Sequence, residues 1–276
     1  RILERPPLGA NIRRRGQDIE RGQRVLAAGH RLRSQDVGLV ASLGRASVPV
    51  YQPLRVAMLS TGDELIEPGE HAGPGQIYNS NRYTMKGQLA AWGFEVIDLG
   101  VAADRPDAVR ESMTCAAQQA DVIVTSGGVS VGEEDHVKAV VESLGSLDLW
   151  RIAIKPGKPF AFGQVLDKPF IGLPGNPVSV FVTLLVIARP YLFACQGIED
   201  GVLNPVNAVA GFSKQGSARE DYLRVRATED GLVLFANQSS GVLTSTCWAD
   251  GLVRQKVGED IVPGSLVDYL PFGMFN

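Results

Sequence analysis

Apolar strand-like runs alternate with amphipathic helical segments between residues 55 and 173. Of all the features of the sequence, this alternation places the strongest limit on the folds that the chain can adopt. Extended runs occur at residues 55–59, 94–99, 122–125, 147–154, 160–165 and 170–173. The segments between them repeat apolar residues at helical spacing, as Met85, Leu89 and Trp92 do before Gly93, a typical helix end. Strands that alternate with helices of this length predict an α/β fold, with a mostly parallel sheet and helices on both faces.

The flanking segments have other patterns. Residues 1–51 are punctuated by glycines, with one short helix expected from Ser34 to Leu43 and a proline-flanked linker at residues 49–53. After about residue 200 the helical period disappears, and strand-like runs at 222–227, 232–236 and 266–270 lie between turn residues. We therefore expect an N-terminal remnant (1–51), an α/β domain (52–200) and a small all-β domain (201–276). Because the chain starts at Arg1, we also expect it to be a fragment.

Composition argues against polyanionic partners. Lysine and arginine number 27 against 30 acidic residues, so the chain has no positive field to collect nucleic acid or an anionic membrane. The longest apolar run, at residues 178–188, meets Arg189 and Pro190, and it predicts a buried helix. The three cysteines are widely spaced and lack metal-ligand spacing, which indicates a reducing compartment and a cytoplasmic location.

Glycine-rich and acidic segments follow the predicted strands. In an open parallel sheet, ligands bind at the carboxyl ends of the strands. TSGGVSVG at residues 125–132 would let backbone N–H groups converge on a phosphate, and Glu133, Glu134 and Asp135 follow it. Acidic residues repel a bare phosphate, but they suit a divalent cation that bridges phosphate oxygens. Alternatively, these acids only complement the dipole of the next helix.

Three further strand ends carry polar turns. KPGKP at residues 155–159 holds two lysines near each other, which favours an oxyanion or phosphate between them, although surface lysines often flank turns. LPGNP at 173–177 could host an anion at a helix N-terminus or could simply start the helix. STGDE at 60–64 could be functional or a capped turn. The histidines lack ligand spacing, and no nucleophile-elbow pattern indicates acyl chemistry.

These four segments, together with IYNSN at residues 77–81, resemble the molybdopterin molybdenumtransferases, the MoeA and gephyrin E-domain family. Five motifs appear in family order across residues 55–190, which is far more specific than any one of them. Residues 11–18 resemble a segment of the family's first domain, and residues after about 200 resemble its C-terminal β-barrel.

The resemblance implies an enzyme that accepts adenylylated molybdopterin, releases AMP in a Mg²⁺-dependent step and inserts molybdenum from molybdate. Carried over by motif, the catalytic residues would be Asp63, Glu64, Asp104, Asp135, Lys155 and Lys158, of which Glu64, Asp104 and Asp135 would hold the metal. The cofactor-binding residues would be Thr61, Gly62, Ser126, Gly127, Gly128, Ser130, Pro156, Gly157, Pro174, Gly175, Asn176, Arg224 and Ser240. Expected partners are a second copy of the chain, the molybdopterin adenylyltransferase and proteins that mature molybdoenzymes.

One departure separates this chain from the resembled family. Family members carry a further N-terminal region that contributes to the neighbouring subunit's site, and it is absent from this sequence. Two other functions also stay open. One is a molybdopterin adenylyltransferase, which shares the parallel-sheet domain and a comparable glycine loop. The other is a gephyrin-like scaffold that binds receptor peptides.

Overall fold

The computed structural model describes residues 5–129, 136–199 and 201–275. Backbone packing divides the chain into two units. One contains the described residues of Arg1–Val48 and Ile198–Asp200, and the other contains those of Pro49–Gly197 and Gly201–Asn276. The predicted boundary between an α/β domain and a β domain therefore falls inside the larger unit, and the division at residues 51 and 200 stays a proposal.

The smaller unit contains the predicted short helix, α1 (Ser34–Ser42). Asp36 is 5% exposed and accepts hydrogen bonds from Arg33, and it also contacts His30 at 2.9 Å. The hydrogen bonds from Arg33 hold the pKa of Asp36 well below its usual range. This cluster fixes the start of α1, because Asp36 also accepts the backbone N–H of Arg33 that precedes the helix.

The α/β part of the larger unit is built on a six-stranded sheet in the order β4-β1-β5-β9-β8-β6. The strands of this part are β1 (Arg55–Thr61), β2 (Leu65–Ile66), β3 (Ile77–Tyr78), β4 (Glu95–Ala102), β5 (Val122–Ser126), β6 (Gly145–Arg151), β7 (Ile154–Lys155), β8 (Pro159–Val165) and β9 (Lys168–Leu173). Strands β4, β1, β5 and β9 run parallel, β8 pairs antiparallel with β9, and β6 pairs antiparallel with β8. The expectation of a mostly parallel sheet is confirmed.

Helices cover both faces of this sheet. They are α2 (Ser80–Ala91), α3 (Pro106–Gln119), α4 (His136–Leu144), α5 (Pro177–Thr183) and α6 (Arg189–Cys195), with a π-helical turn (Leu184–Ala188) between the last two. Helices α3 and α4 share one core with β1, β5, β8 and β9, in which Val109 and Val141 are fully buried. Helices α2 and α5 pack against each other and against the sheet, and Met85 and Leu89 of α2 are fully buried. The apolar residues that repeat at helical spacing in the sequence form the face of each helix that packs against the core.

The predicted buried helix forms, and it continues beyond the apolar run at residues 178–188. The helical stretch runs unbroken over Pro177–Cys195, past Arg189 and Pro190. Arg189 is accommodated because it donates a hydrogen bond to the Gly201 carbonyl at 2.8 Å and lies over the Phe193 ring. Within the described residues this is the one helix long and apolar enough to cross a membrane, and most of it is buried in the core.

The C-terminal part is a second sheet in the order β10-β14-β13-β11-β12, and β7 of the α/β part adds to β11. Its strands are β10 (Val206–Val209), β11 (Glu220–Thr228), β12 (Gly231–Leu234), β13 (Gly251–Gln255) and β14 (Leu266–Pro271). A bridge from Ala210 to Leu232 joins the two edges of the sheet, which supports a barrel-like form. This part also contains a short helix, α7 (Thr244–Trp248), before β13, and a 3₁₀ turn (Phe272–Phe275) follows β14.

From the sequence we expect Asp104 to cap the helix that follows it and Gly145 to close the helix that precedes it, and both expectations were wrong. Asp104 does not cap α3, since the N-cap residue is Arg105 and Pro106 takes the first helical position. Gly145 does not end α4 as a turn, because it is the first residue of β6 and pairs with Val165. A Cβ at Gly145 would lie 2.2 Å from the Gln164 carbonyl oxygen, so close strand pairing explains the glycine.

Candidate functional site

A cavity of about 780 Å³ lies at the carboxyl edge of the four parallel strands. Its wall includes Thr61 and Ser126 at the ends of β1 and β5, and Pro174 directly after β9. Asp104, two residues beyond β4, also lines it. The cavity therefore occupies the place where open α/β sheets bind ligands.

The double glycine after β5 packs directly on the end of β1. Gly127 and Gly128 have φ values of +84° and +64°, and both line the cavity. A Cβ on Gly127 would lie 2.5 Å from the Thr61 carbonyl oxygen, and one on Gly128 would lie 2.3 Å from a Val137 methyl. Only glycine can take this path, which brings the loop backbone to the cavity wall as the sequence predicts.

Three of the predicted acidic residues lie at the same edge. Glu64 and Asp104 line the cavity, and the Asp63 carboxylate accepts the backbone N–H of Asp104 at 2.9 Å. This bond joins the loops that follow β1 and β4. No group of three His, Cys, Asp or Glu side chains suited to a metal ion occurs among the described residues. Asp135 and Ser130, the other predicted residues of this region, lie outside them.

We expected the two lysines of the KPGKP turn, at residues 155–159, to lie on either side of one anion. The structure places Lys155 in an ion pair instead. The Lys155 ammonium lies 3.2 Å from the carboxylate of Asp221, which is only 2% exposed. Lys155 and Asp221 are also partners in the pairing of β7 with β11, so this ion pair joins the α/β part to the β part. Pro159 lines the cavity, whereas the predicted cofactor-binding residues Pro156 and Gly157 are buried and are not among its lining residues, and Lys158 is exposed.

The turn after β9 forms one wall of the cavity. Pro174, Gly175 and Asn176 all line it, and α5 begins at the next residue. The Gly175 carbonyl accepts a hydrogen bond from the Asn81 side-chain amide at 2.7 Å. The start of α2 and the turn before α5 are therefore held together across this part of the site.

The C-terminal part contributes a loop, not the side chain of Arg224. Gly241 and Leu243 line the cavity, and the Ser240 carbonyl accepts the Val178 N–H at 3.0 Å. Arg224 lies beneath this loop with no solvent exposure, and its guanidinium donates to the Ser239 carbonyl at 3.2 Å. Burial lowers the pKa of Arg224 to about 10. Arg224 therefore supports the cavity wall from behind, and Ser240 takes part through its backbone.

Several lining residues were not predicted as site residues. Tyr78, Asn79 and Asn81 belong to the IYNSN segment, which contributed to the family resemblance but was given no role of its own. The available signal was an asparagine in front of a helix. Asn79 is indeed the N-cap of α2, and its side-chain oxygen accepts the Arg82 N–H at 3.1 Å.

Three family models match successive parts of the chain. A model described as "Probable molybdopterin binding domain" matches residues 57–194, which form half of the chain and contain most of the cavity. Models of the MoeA N-terminal region (domain I and II) and of the MoeA C-terminal region (domain IV) match residues 1–44 and 209–272. The chain belongs to the MoeA family. The resemblance inferred from the five motifs is confirmed.

Curated MoeA relatives agree with this assignment. A molybdopterin molybdenumtransferase of Haemophilus influenzae is 45% identical over 80% of this chain and 55% of its own length. One from Nostoc is 32% identical over 95% of this chain and 62% of its own length. The chain thus spans little more than half the length of these relatives.

Solved structures give the same fold. The crystal structure of a molybdopterin biosynthesis MoeA protein from Pyrococcus horikosii has a TM-score of 0.80 and 32% identity, and it covers 93% of this chain and 64% of that one. A molybdenum cofactor biosynthesis protein from Pyrococcus furiosus, at 21% identity and a TM-score of 0.68, shares the fold. The α/β fold with a C-terminal β domain is therefore confirmed.

Proposed function

We propose that this chain carries the molybdopterin-binding and C-terminal parts of a molybdopterin molybdenumtransferase. The enzyme would insert molybdenum from molybdate into adenylylated molybdopterin, with release of AMP. The observation that carries the proposal is that the double-glycine loop, the turn before α5 and the carboxylates Glu64 and Asp104 all line one cavity. The names of the curated relatives support the choice of reaction.

The backbone supplies the anion-binding groups of the proposed site. The Gly127 N–H is donated to the Leu173 carbonyl at 3.3 Å. The N–H groups of Gly128 and of the turn before α5, whose residues line the cavity, would therefore be the ones that bind phosphate oxygens. We assign Lys158 as the cation that reaches the phosphate or molybdate, because it is exposed next to the lining residue Pro159. Lys155 instead neutralises Asp221 and fixes the turn.

The described carboxylates suit a magnesium ion of a particular kind. Mg²⁺ keeps several waters and binds through one or two carboxylates plus substrate phosphates, so it needs no cage of three protein ligands. Glu64 and Asp104 would hold the ion, and the hydrogen bond from Asp104 to Asp63 keeps their two loops together. When bound, magnesium would polarise the phosphoanhydride oxygens.

Several broader features belong to the same proposal. The chain spans 55% of the Haemophilus relative, so turnover would need the remaining sequence of a full-length enzyme. We propose that this enzyme is a cytoplasmic homodimer. It would receive its substrate from a molybdopterin adenylyltransferase and pass its product to proteins that mature molybdoenzymes.

Release of AMP from adenylylated molybdopterin by the full-length enzyme that contains this chain, followed with and without Mg²⁺ and molybdate, tests the proposal. Glu64→Gln and Asp104→Asn should each lower metal-dependent release by about 100-fold, the usual scale for losing one group that stabilises developing charge. Glu229→Gln, at an exposed position after β11, is the matched control and should release AMP normally. Normal release by both cavity variants would refute the assignment. AMP transfer from ATP to molybdopterin would instead indicate an adenylyltransferase.

A further inference from the structure

The side chain of Arg82, in the first turn of α2, contacts two carboxylates that come from different segments of the chain. Its Nη1 lies 2.8 Å from Oε1 of Glu67, and its Nε donates to Oδ1 of Asp98 at 2.9 Å. The side chains of Arg82, Glu67 and Asp98 are 23%, 30% and 14% exposed. Water and salt screen such partly buried charges less than they screen surface pairs, so this network ties the two segments together.

Glu67 belongs to the segment that carries the candidate metal ligand Glu64. It directly follows β2 and lies three residues after Glu64, a stretch that spans at most about 11 Å when fully extended. The Tyr83 hydroxyl of α2 also donates to the Glu67 carboxylate, at 2.9 Å. The Glu64 carbonyl in turn accepts the Ile77 N–H of β3 at 2.8 Å. The position of Glu67 therefore limits where the Glu64 backbone can lie.

Asp98 lies close to the end of β4, where the strand leads to Asp104. The pairing of β4 with β1 shifts register between Asp98 and Val101, which marks a bulge. Gly100, inside this bulge, has φ +74°, and its N–H donates to the Asp98 carboxylate at 3.1 Å. Because a bulge redirects its strand, the contact of Asp98 with Arg82 fixes the direction in which the chain approaches Asp104.

We propose that Arg82 is a positioning residue that sets the spacing of Glu64 and Asp104. Arg82 is not one of the described residues that line the cavity, so it acts through Glu67 and Asp98. The role rests on the proposed function, in which Glu64 and Asp104 hold Mg²⁺. Because Mg²⁺ demands near-ideal octahedral geometry, its affinity falls when either carboxylate is displaced. A residue that lies behind the metal ligands can therefore control metal binding.

The test measures Mn²⁺ binding to the full-length enzyme that contains this chain, by electron paramagnetic resonance in the presence of AMP. Arg82→Gln removes the charge that both carboxylates contact and should weaken Mn²⁺ binding by about tenfold, a usual effect for residues that orient metal ligands. Arg82→Lys keeps the charge but lacks the planar fork that reaches both partners, and it should act in the same direction. Glu67→Gln keeps an acceptor for Tyr83 and releases only one segment, so its effect should be smaller.

A metal-free probe and two matched variants separate positioning from general damage. Inorganic pyrophosphate in EDTA, followed by calorimetry, binds without metal, and its affinity should stay within about twofold in the Arg82 variants. Arg55→Gln removes an arginine–aspartate pair with Asp121 at the opposite end of β1 from the cavity. Lys86→Gln removes an exposed partner of Asp98 and leaves Arg82 in place. Both matched variants should bind Mn²⁺ as the unaltered enzyme does.

The outcomes distinguish this role from the function on which it rests. Weaker Mn²⁺ binding by both Arg82 variants, with unchanged pyrophosphate binding, supports the positioning role, whereas equal losses of both affinities would refute it. If Glu64→Gln weakens Mn²⁺ binding but the Arg82 and Glu67 variants do not, the role is refuted and the proposed function stands. If Glu64→Gln and Asp104→Asn both bind Mn²⁺ normally, the proposed metal site fails and the positioning role fails with it.

Discussion

Gly127→Ala should distort the phosphate-binding loop while leaving the rest of the sheet intact. The residue has φ +84°, and the left-handed region costs an L-residue about 1–2 kcal/mol. The new Cβ would lie 2.5 Å from the Thr61 carbonyl oxygen, a backbone atom of β1 that cannot rotate away. Relieving such an overlap in packed structure costs about 1–3 kcal/mol. The free energy of unfolding should therefore fall by roughly 2–5 kcal/mol in total.

Urea denaturation of the protein and pyrophosphate calorimetry measure the two effects of this substitution. The loop must move away from Thr61 to admit the methyl group, so pyrophosphate affinity should fall together with the free energy of unfolding. Gly175→Ala is the matched control for stability, because it lines the same cavity but no described atom lies within 4 Å of its Cβ. Its free energy of unfolding should change by less than about 1 kcal/mol. Equal stabilities for the two variants would refute the packing argument.

Three further predictions concern hydrogen bonds and ion pairs elsewhere in the larger unit. Arg224→Met should lower the free energy of unfolding by about 2–4 kcal/mol and speed hydrogen exchange in residues 238–243, since buried carbonyls lose their donor; unchanged exchange there would contradict this. Lys158→Ala should weaken pyrophosphate binding, whereas Lys155→Ala should mainly lower thermal stability by leaving a buried aspartate unpaired, and the reverse pattern would contradict the assignment. The hydrogen bond from Arg55 lowers the pKa of Asp121 below 3.8, the ordinary value for an aspartate. The stability that this bond contributes is therefore fully present above pH 3.8 and is lost as the pH falls through the lower pKa of Asp121 in the folded protein. Acid titration of Asp121→Asn should show a shallower stability loss below that pH.

The arrangement of strands and helices was largely predictable because it depends on local periodicity. The run at residues 55–59 became β1 with two more residues, and Met85 and Leu89 face the core as their spacing indicates. The turn glycine Gly93 also has the positive φ expected after a helix. These features follow from neighbours within one or two turns, which a single sequence displays.

Features that depend on distant partners were not predictable in the same way. Lys155 pairs with Asp221, 66 residues later, and no local sequence pattern predicts that ion pair. The reversed direction of β8 relative to β9 depends on the tight turn between them, where Val165 pairs with Lys168. The extended runs at these positions look the same in either direction, because strand periodicity does not encode orientation.

In the candidate site, too, the sequence predicted the features set by local pattern but not those set by distant contacts. The glycines and acidic residues that follow the parallel strands were identifiable, because strand order places those ends at one edge of the sheet. Arg224 and Ser240 were expected from the family resemblance to bind the cofactor. The support that Arg224 gives from behind the loop, and the lining by Gly241, were not identifiable because they depend on packing in another part of the larger unit. Asn79 and Asn81 matched a family motif, but the hydrogen bonds that fix their side chains are visible only in the folded structure.

The most direct test of the central claim is anomalous diffraction from crystals of the protein soaked with AMP and Mn²⁺, which replaces Mg²⁺. The account predicts a manganese peak in contact with Glu64 or Asp104 and the AMP phosphate against the Gly127 and Gly128 backbone. Manganese and AMP bound together at any other place, such as the smaller cavity beside Arg189 and Pro190, would contradict it.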